Sequence, residues 1–214
     1  MKTLKVPFLR ELDKLELKSL GEIMTEKACH DRIAINDWQN QFPYTPKVSF
    51  DVARSESRFY IRYNVEGNSL KALYDKDGSP VHLDSCVEFF MQIPGDEHYR
   101  NFEFNCIGCS EASIRLSRDI KEDLTENEYK SILRFPSLKK ETFAERLGVF
   151  SWNILISIPF EVMGLNPKAL PEKIFGNFYK CADDTKDPHF LSWSPIDLPN
   201  PDFHCPKFFG TINL

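Results

Sequence analysis

The chain has 214 residues, 42% of them hydrophobic and 28% charged, and a formal net charge of −5. This length suits one all-β domain, and this composition excludes a disordered or fibrous chain. No Lys/Arg cluster exceeds a local pair such as Lys139-Lys140, which excludes a nucleic-acid surface, and no apolar run approaches the ~20 residues of a membrane span.

Residues 1–46 read as a mixed lead-in packed on a single domain that takes all of 1–214. Met1 to Leu20 alternates Leu with charged residues and lacks the continuous apolar core of a signal peptide. The expected location is therefore the cytoplasm, unless a leader has been removed. A strand is predicted over Arg32 to Trp38, before the proline-punctuated stretch Phe42 to Pro46. From Lys47 the pattern turns period-two. Val48, Phe50 and Val52 form one run; Phe59, Ile61, Tyr63 and Val65 form the next, ending at Gly67-Asn68. Val87, Phe89, Met91 and Ile93 stop at Pro94-Gly95-Asp96, and Phe102, Phe104 and Cys106 stop at Gly108. Ile114 and Leu116 give a shorter strand. Asp119 to Leu133 reads as a charged surface excursion with some helix. Trp152, Ile154, Ile156 and Ile158 mark a strong strand, Pro159 to Leu165 one helical turn, and Phe175 to Cys181 and Phe190 to Trp193 two short strands.

Short alternating strands bounded by Gly, Pro, Asn and Asp predict an antiparallel β-sandwich of two sheets, jelly-roll or immunoglobulin-like, with short helical insertions. The 18 phenylalanines suit such half-buried pleated surfaces. A monomer is expected. The six cysteines read as reduced thiols. The one close pair, Cys106-x-x-Cys109, lacks the two further ligands that a zinc site needs. Dinucleotide, phosphate-loop and nucleophile-elbow motifs are absent. His204 and Cys205 are sequential, and strand neighbours point to opposite faces.

The hairpin around Pro94-Gly95-Asp96 carries the most informative constellation. Burial of Val87, Phe89 and Met91 turns Glu88 to the opposite face; burial of Phe102 and Phe104 does the same for Glu103. Burial of Ile114 and Leu116 places Arg115 on that face as well. Like charges across a ladder repel, so Arg115, a bound cation or a polar ligand must compensate. The predicted result is a charged cluster of Glu88, Glu103 and Arg115 on an open sheet face. Tyr179 and Phe203 are the candidate platforms for the apolar C–H face of a sugar ring. Trp152 and Trp193 read as core, and Trp38 is open to either role.

Four stretches add a resemblance. Phe59-Tyr60-Ile61-Arg62-Tyr63-Asn64-Val65, Asp84-Ser85-Cys86-Val87-Glu88-Phe89-Phe90, Asn101-Phe102-Glu103-Phe104-Asn105 and the closing run from Leu191-Ser192-Trp193-Ser194 to Phe209-Gly210 occur in order. Together they resemble the family 9 carbohydrate-binding modules, β-sandwiches that bind sugar-chain ends and are often attached to xylanases. The resemblance implies non-catalytic binding of plant-type oligosaccharide or polysaccharide ends. It puts the family's sugar-binding glutamate on Glu88, one stacking aromatic on Phe203, an asparagine near Asn200 and a glutamine near Tyr179. The family's arginine falls on Glu103, a charge reversal. Its second stacking tryptophan falls near Val81, and Tyr179 is the candidate to replace that ring. Calcium, carried by some members, is a further possibility with no ligands assigned. Two other readings stay open: an interaction sandwich whose sugar site has decayed, and a xylanase-like hydrolase using Glu88 and Glu103, whose spacing across a ladder could suit a retaining mechanism.

Overall fold

The alternating runs become the strands of two facing sheets in a computed structural model that describes residues 1–214. The elements are β1 (Thr3–Lys5), α1 (Leu17–Lys27), β2 (Cys29–Arg32), β3 (Lys47–Arg54), β4 (Arg58–Ala72), β5 (Cys86–Gln92), β6 (Tyr99–Asn105) and β7 (Ser110–Arg115). There follow β8 (Lys121–Asp123), α2 (Glu126–Ser131), β9 (Leu133–Pro136), β10 (Phe143–Pro159), β11 (Lys173–Cys181), β12 (Phe190–Ser192) and β13 (Gly210–Asn213). One sheet runs β1-β13-β11-β5-β6-β7-β8, with β12 beside β11; the other runs β2-β3-β4-β10-β9. Every strand pair is antiparallel except β1 with β13. No helix is long and apolar enough to cross a membrane.

The two sheets meet through aromatic rings. The Phe178 ring lies 4.1 Å from Phe50 and 4.8 Å from Phe89, and Phe89 lies 5.3 Å from Phe59. Each such pair adds roughly 0.5–1.5 kcal/mol beyond the area it buries. Trp152 and Trp193 are core, as expected. Trp38 is buried too, and its indole N–H donates to the Leu198 carbonyl at 2.8 Å.

Several local expectations need correction. The strand placed over Arg32 to Trp38 lies earlier, at Cys29–Arg32, and Ile35 keeps only an isolated bridge to Ser192. Gly67-Asn68 does not end its strand: β4 continues to Ala72 against the long β10. The glycine serves close approach there, because a Cβ at Gly67 would meet the Tyr44 hydroxyl at 3.0 Å. Leu116 lies outside β7 and is exposed. Asp119 to Leu133 holds β8 as well as α2, whose Thr125–Glu128 capping box satisfies its first N–H groups. The segment after Pro159 makes one turn, with the Met163 amide donating to the Pro159 carbonyl. The lead-in contains α1, unforeseen although Leu17, Leu20, Ile23 and Met24 follow helical spacing.

Candidate functional site

Strand register sets which side chains meet on the face of the larger sheet away from the core. One row is Tyr179, Glu88, Glu103 and Glu111, directly paired across β11, β5, β6 and β7. The row on one side holds Cys181, Cys86 and Asn105; the row on the other holds Asn177, Phe90, Asn101 and Ser113. A further row includes Tyr99, Arg115 and Lys121. The expected common face for Glu88, Glu103 and Arg115 is therefore formed. It is not open, however: the three are only 2%, 4% and 6% exposed.

Loops wall this face into a pocket of about 330 Å³, at the lower end of the range for small-ligand sites. One wall is the 201–204 segment with Phe203 and His204, another is Arg118 to Lys121, a third is Gly78 to His82, and Asp183 stands beside Cys181. An Arg118–Asp202 contact of 3.7 Å ties two walls together.

Asn101 organises the floor. Its amide N–H groups donate to Glu103 Oε1 at 3.0 Å and to Glu111. Its oxygen accepts from Ser113 Oγ at 2.7 Å and Arg115 Nε at 2.8 Å. Arg115 and Lys121 both reach Glu111 Oε1, at 3.1 and 3.0 Å. Arg115 thus balances Glu111, not Glu103, which corrects the expected pairing. Repulsion between Glu88 and Glu103 is relieved by protonation instead. Burial pushes the Glu88 carboxyl up to about 8. Burial raises Glu103 too, and the neighbouring Glu88 and Glu111 add to the rise. Near neutral pH the floor therefore offers carboxyl O–H donors as well as acceptors, a set that matches sugar hydroxyls, which also donate and accept.

The aromatic expectation is half met. Phe203 lines the pocket, and Tyr179 stacks beneath it at 4.1 Å with 6° between the planes. Tyr179 is fully buried and donates to the Phe203 carbonyl at 3.3 Å, so it backs the platform rather than replacing a second ring. Trp38 supports the same platform from 6.1 Å. Val81 is buried, but its neighbour His82 lines the pocket, with its side chain 41% exposed and Nδ1 3.8 Å from Glu103 Oε2. Asn200 is exposed and takes no part in the lining. His204 sits between Phe90 and Tyr99, its Nδ1 3.0 Å from the Tyr99 hydroxyl. Sequence reasoning did not find Phe90, Glu111, His82, Arg118, Lys121, Asp183, Asp202 or His204. The first two carried a signal, since Phe90 alternates in phase with Glu88 and Glu111 in phase with Arg115; the loop residues carried none.

Calcium takes six to eight oxygen ligands. The side-chain donors that converge here are Cys86 Sγ, Cys181 Sγ and a Glu88 oxygen, a sulfur-rich set that does not fit it.

Comparison with known proteins accords with this architecture. No curated protein matches the chain. A provisionally assigned carbohydrate-binding protein from Bacteroides uniformis ATCC 8492 is 33% identical, with a TM-score of 0.91 over 99% of this chain and 98% of that one. Two structures of a carbohydrate-binding module family 9 from Caldicellulosiruptor kristjanssonii share the fold at 12% identity. The one in complex with cellotriose has a TM-score of 0.65 over 99% and 93% of the two chains; the one with glucose has 0.59 over 99% and 95%. A model of carbohydrate-binding family 9 matches residues 19–214, and the chain belongs to that family of non-catalytic sugar-binding modules.

Proposed function

We propose that the walled pocket binds the end of a plant-type oligosaccharide or polysaccharide, with the terminal ring packed on Phe203. The supporting observation is the stack of Phe203 on Tyr179 at the end of a row of hydrogen-bonding carboxyls. Phe203 is 8% exposed, and the part of its ring that lines the pocket has low conformational freedom because Tyr179 and Trp38 hold it from behind. Glu88, Glu103 and Arg115 supply donors and acceptors to the hydroxyls, and His82 stands across the mouth. Tyr179 acts through Phe203, and Asn200 contributes at most at the rim. A pocket this small favours a chain end over the middle of a long polymer. Binding of cellotriose and glucose by the C. kristjanssonii modules makes β-linked glucose chains the first ligands to try.

A glycan array followed by calorimetry tests this. Phe203→Ala is expected to weaken binding by about 1–3 kcal/mol, the scale of one lost ring contact, with the unfolding temperature measured alongside. No binding to any plant or host glycan overturns the reading in favour of an interaction sandwich. Hydrolysis abolished by Glu88→Gln would replace it with a glycosidase.

A further inference from the structure

We infer that Cys86, Cys181 and Glu88 form a binding site for a thiophilic divalent cation, zinc being the natural occupant, at the base of the pocket. The inference needs no sugar to be bound, although it shares Glu88 with the sugar reading. Cys86 and Cys181 are directly opposite one another on β5 and β11, and Glu88 follows Cys86 by two residues, which returns its side chain to the same face. Their three donor atoms lie within 4.8 Å of one another, and the Cys181 thiol donates to Glu88 Oε1 at 2.9 Å. Two thiolates on a tetrahedral zinc stand about 3.8 Å apart, given Zn–S bonds of ~2.3 Å, so small side-chain rotations complete the geometry.

Asp183 lies outside the three converging donors but lines the pocket next to Cys181, and its Oδ1 is buried without a hydrogen-bond partner, so a rotation of its carboxyl towards the cluster supplies a fourth ligand. Cys181, Glu88 and Asp183 all line the pocket, which provides an entry path from solvent. Cation binding releases the two thiol protons and any carboxyl protons to water, leaving two thiolates and two carboxylates around the metal. Two sulfurs select zinc over calcium or magnesium.

The test uses the whole protein, reduced and stripped of metal, then equilibrated with zinc alone or with cobalt as a spectroscopic stand-in. The expected result is about one zinc per chain and a sulfur-to-cobalt charge-transfer band. Cys86→Ser and Cys181→Ser should abolish the band, Glu88→Gln and Asp183→Asn should weaken zinc binding at least tenfold, and Cys29→Ser, on the opposite sheet, should leave both unchanged. Should the serine variants fail to fold, the two carboxyl variants still decide the matter. Three results overturn the inference: no zinc taken up by protein whose thiols titrate as free, equal uptake by wild type and the cluster variants, or a Cys86–Cys181 disulfide that resists reduction and excludes metal.

Discussion

The larger sheet has two buried faces built from the same strands, and they are buried in opposite ways. On the inner face, Phe178 and Phe89 pack against Phe50 and Phe59 of the other sheet, and Phe102 stacks on Phe89 beside them. On the outer face, Glu88, Glu103, Glu111, Asn101 and Arg115 are just as inaccessible but are held by hydrogen bonds and ion pairs. The inner face is stabilised by area and dispersion, which are tolerant of small errors in position. The outer face is stabilised only while every polar group keeps its partner, since an orphaned buried charge costs several kcal/mol. The contrast shows why a ligand site can sit on a sheet without an exposed patch: loops supply the walls, and polar satisfaction supplies the floor.

Perturbing each face in turn sharpens the contrast. Phe89→Ala should cost about 4 kcal/mol by chemical denaturation, the scale of a truncated core phenylalanine, with ligand affinity per folded molecule little changed. Glu111→Ala leaves Arg115 without its buried partner and should cost about 3 kcal/mol. If it costs less than 1, the outer face is wetter than described and the comparison fails. Acid titration apportions a third effect. Burial holds His189 and His204 down at about 3, far below the 6.5 of a free histidine. Unfolded histidines take up protons as pH falls through about 6.5, so stability that is complete above that value is lost progressively towards pH 3. The raised Glu88 and Glu103 carboxyls act in the opposite direction over this range, so the histidine share is read as the difference between wild type and the histidine variants in unfolding temperature from pH 7 to 4. His204→Phe should remove the outer-face share of the loss and His189→Phe the share near Lys180. Trp38→Phe deletes the bond to the Leu198 carbonyl and should cost about 1 kcal/mol, with a slight loss of sugar affinity as Phe203 loosens. Asn200→Ala should change stability by less than about 0.5 kcal/mol and leave binding as it was. A large loss there would return Asn200 to the site.

The period-two runs were sufficient to predict a two-sheet sandwich and to put Glu88, Glu103 and Arg115 on one side of a sheet. Alternation assigns residues to faces, but it does not say whether the second face is wet. That depends on segments such as 201–204 and 78–82, which arrive from elsewhere in the chain. For the same reason Arg115 was paired with the wrong carboxylate. The register of β7 against β6, which sets Glu111 opposite Glu103 and Arg115 opposite Tyr99, cannot be read from either strand alone. Tyr179, a candidate platform in the sequence, is covered in the structure, because Phe203, the residue over it, lies in a segment without regular structure.

The parallel pairing of β1 with β13 bears on how the protein responds to force. Thr3 lies beside Thr211 and Lys5 beside Asn213, with the Val6 amide donating to the Asn213 carbonyl at 2.8 Å and the Thr211 amide to the Lys2 carbonyl at 2.9 Å. Tension applied through the two ends pulls these strands past each other lengthwise, so their hydrogen bonds bear the load together instead of opening one at a time. Resistance to pulling is set by the rate of unfolding rather than by equilibrium stability. Load drawn through both termini would meet a clamp of this geometry before it reached the sheet that floors the pocket.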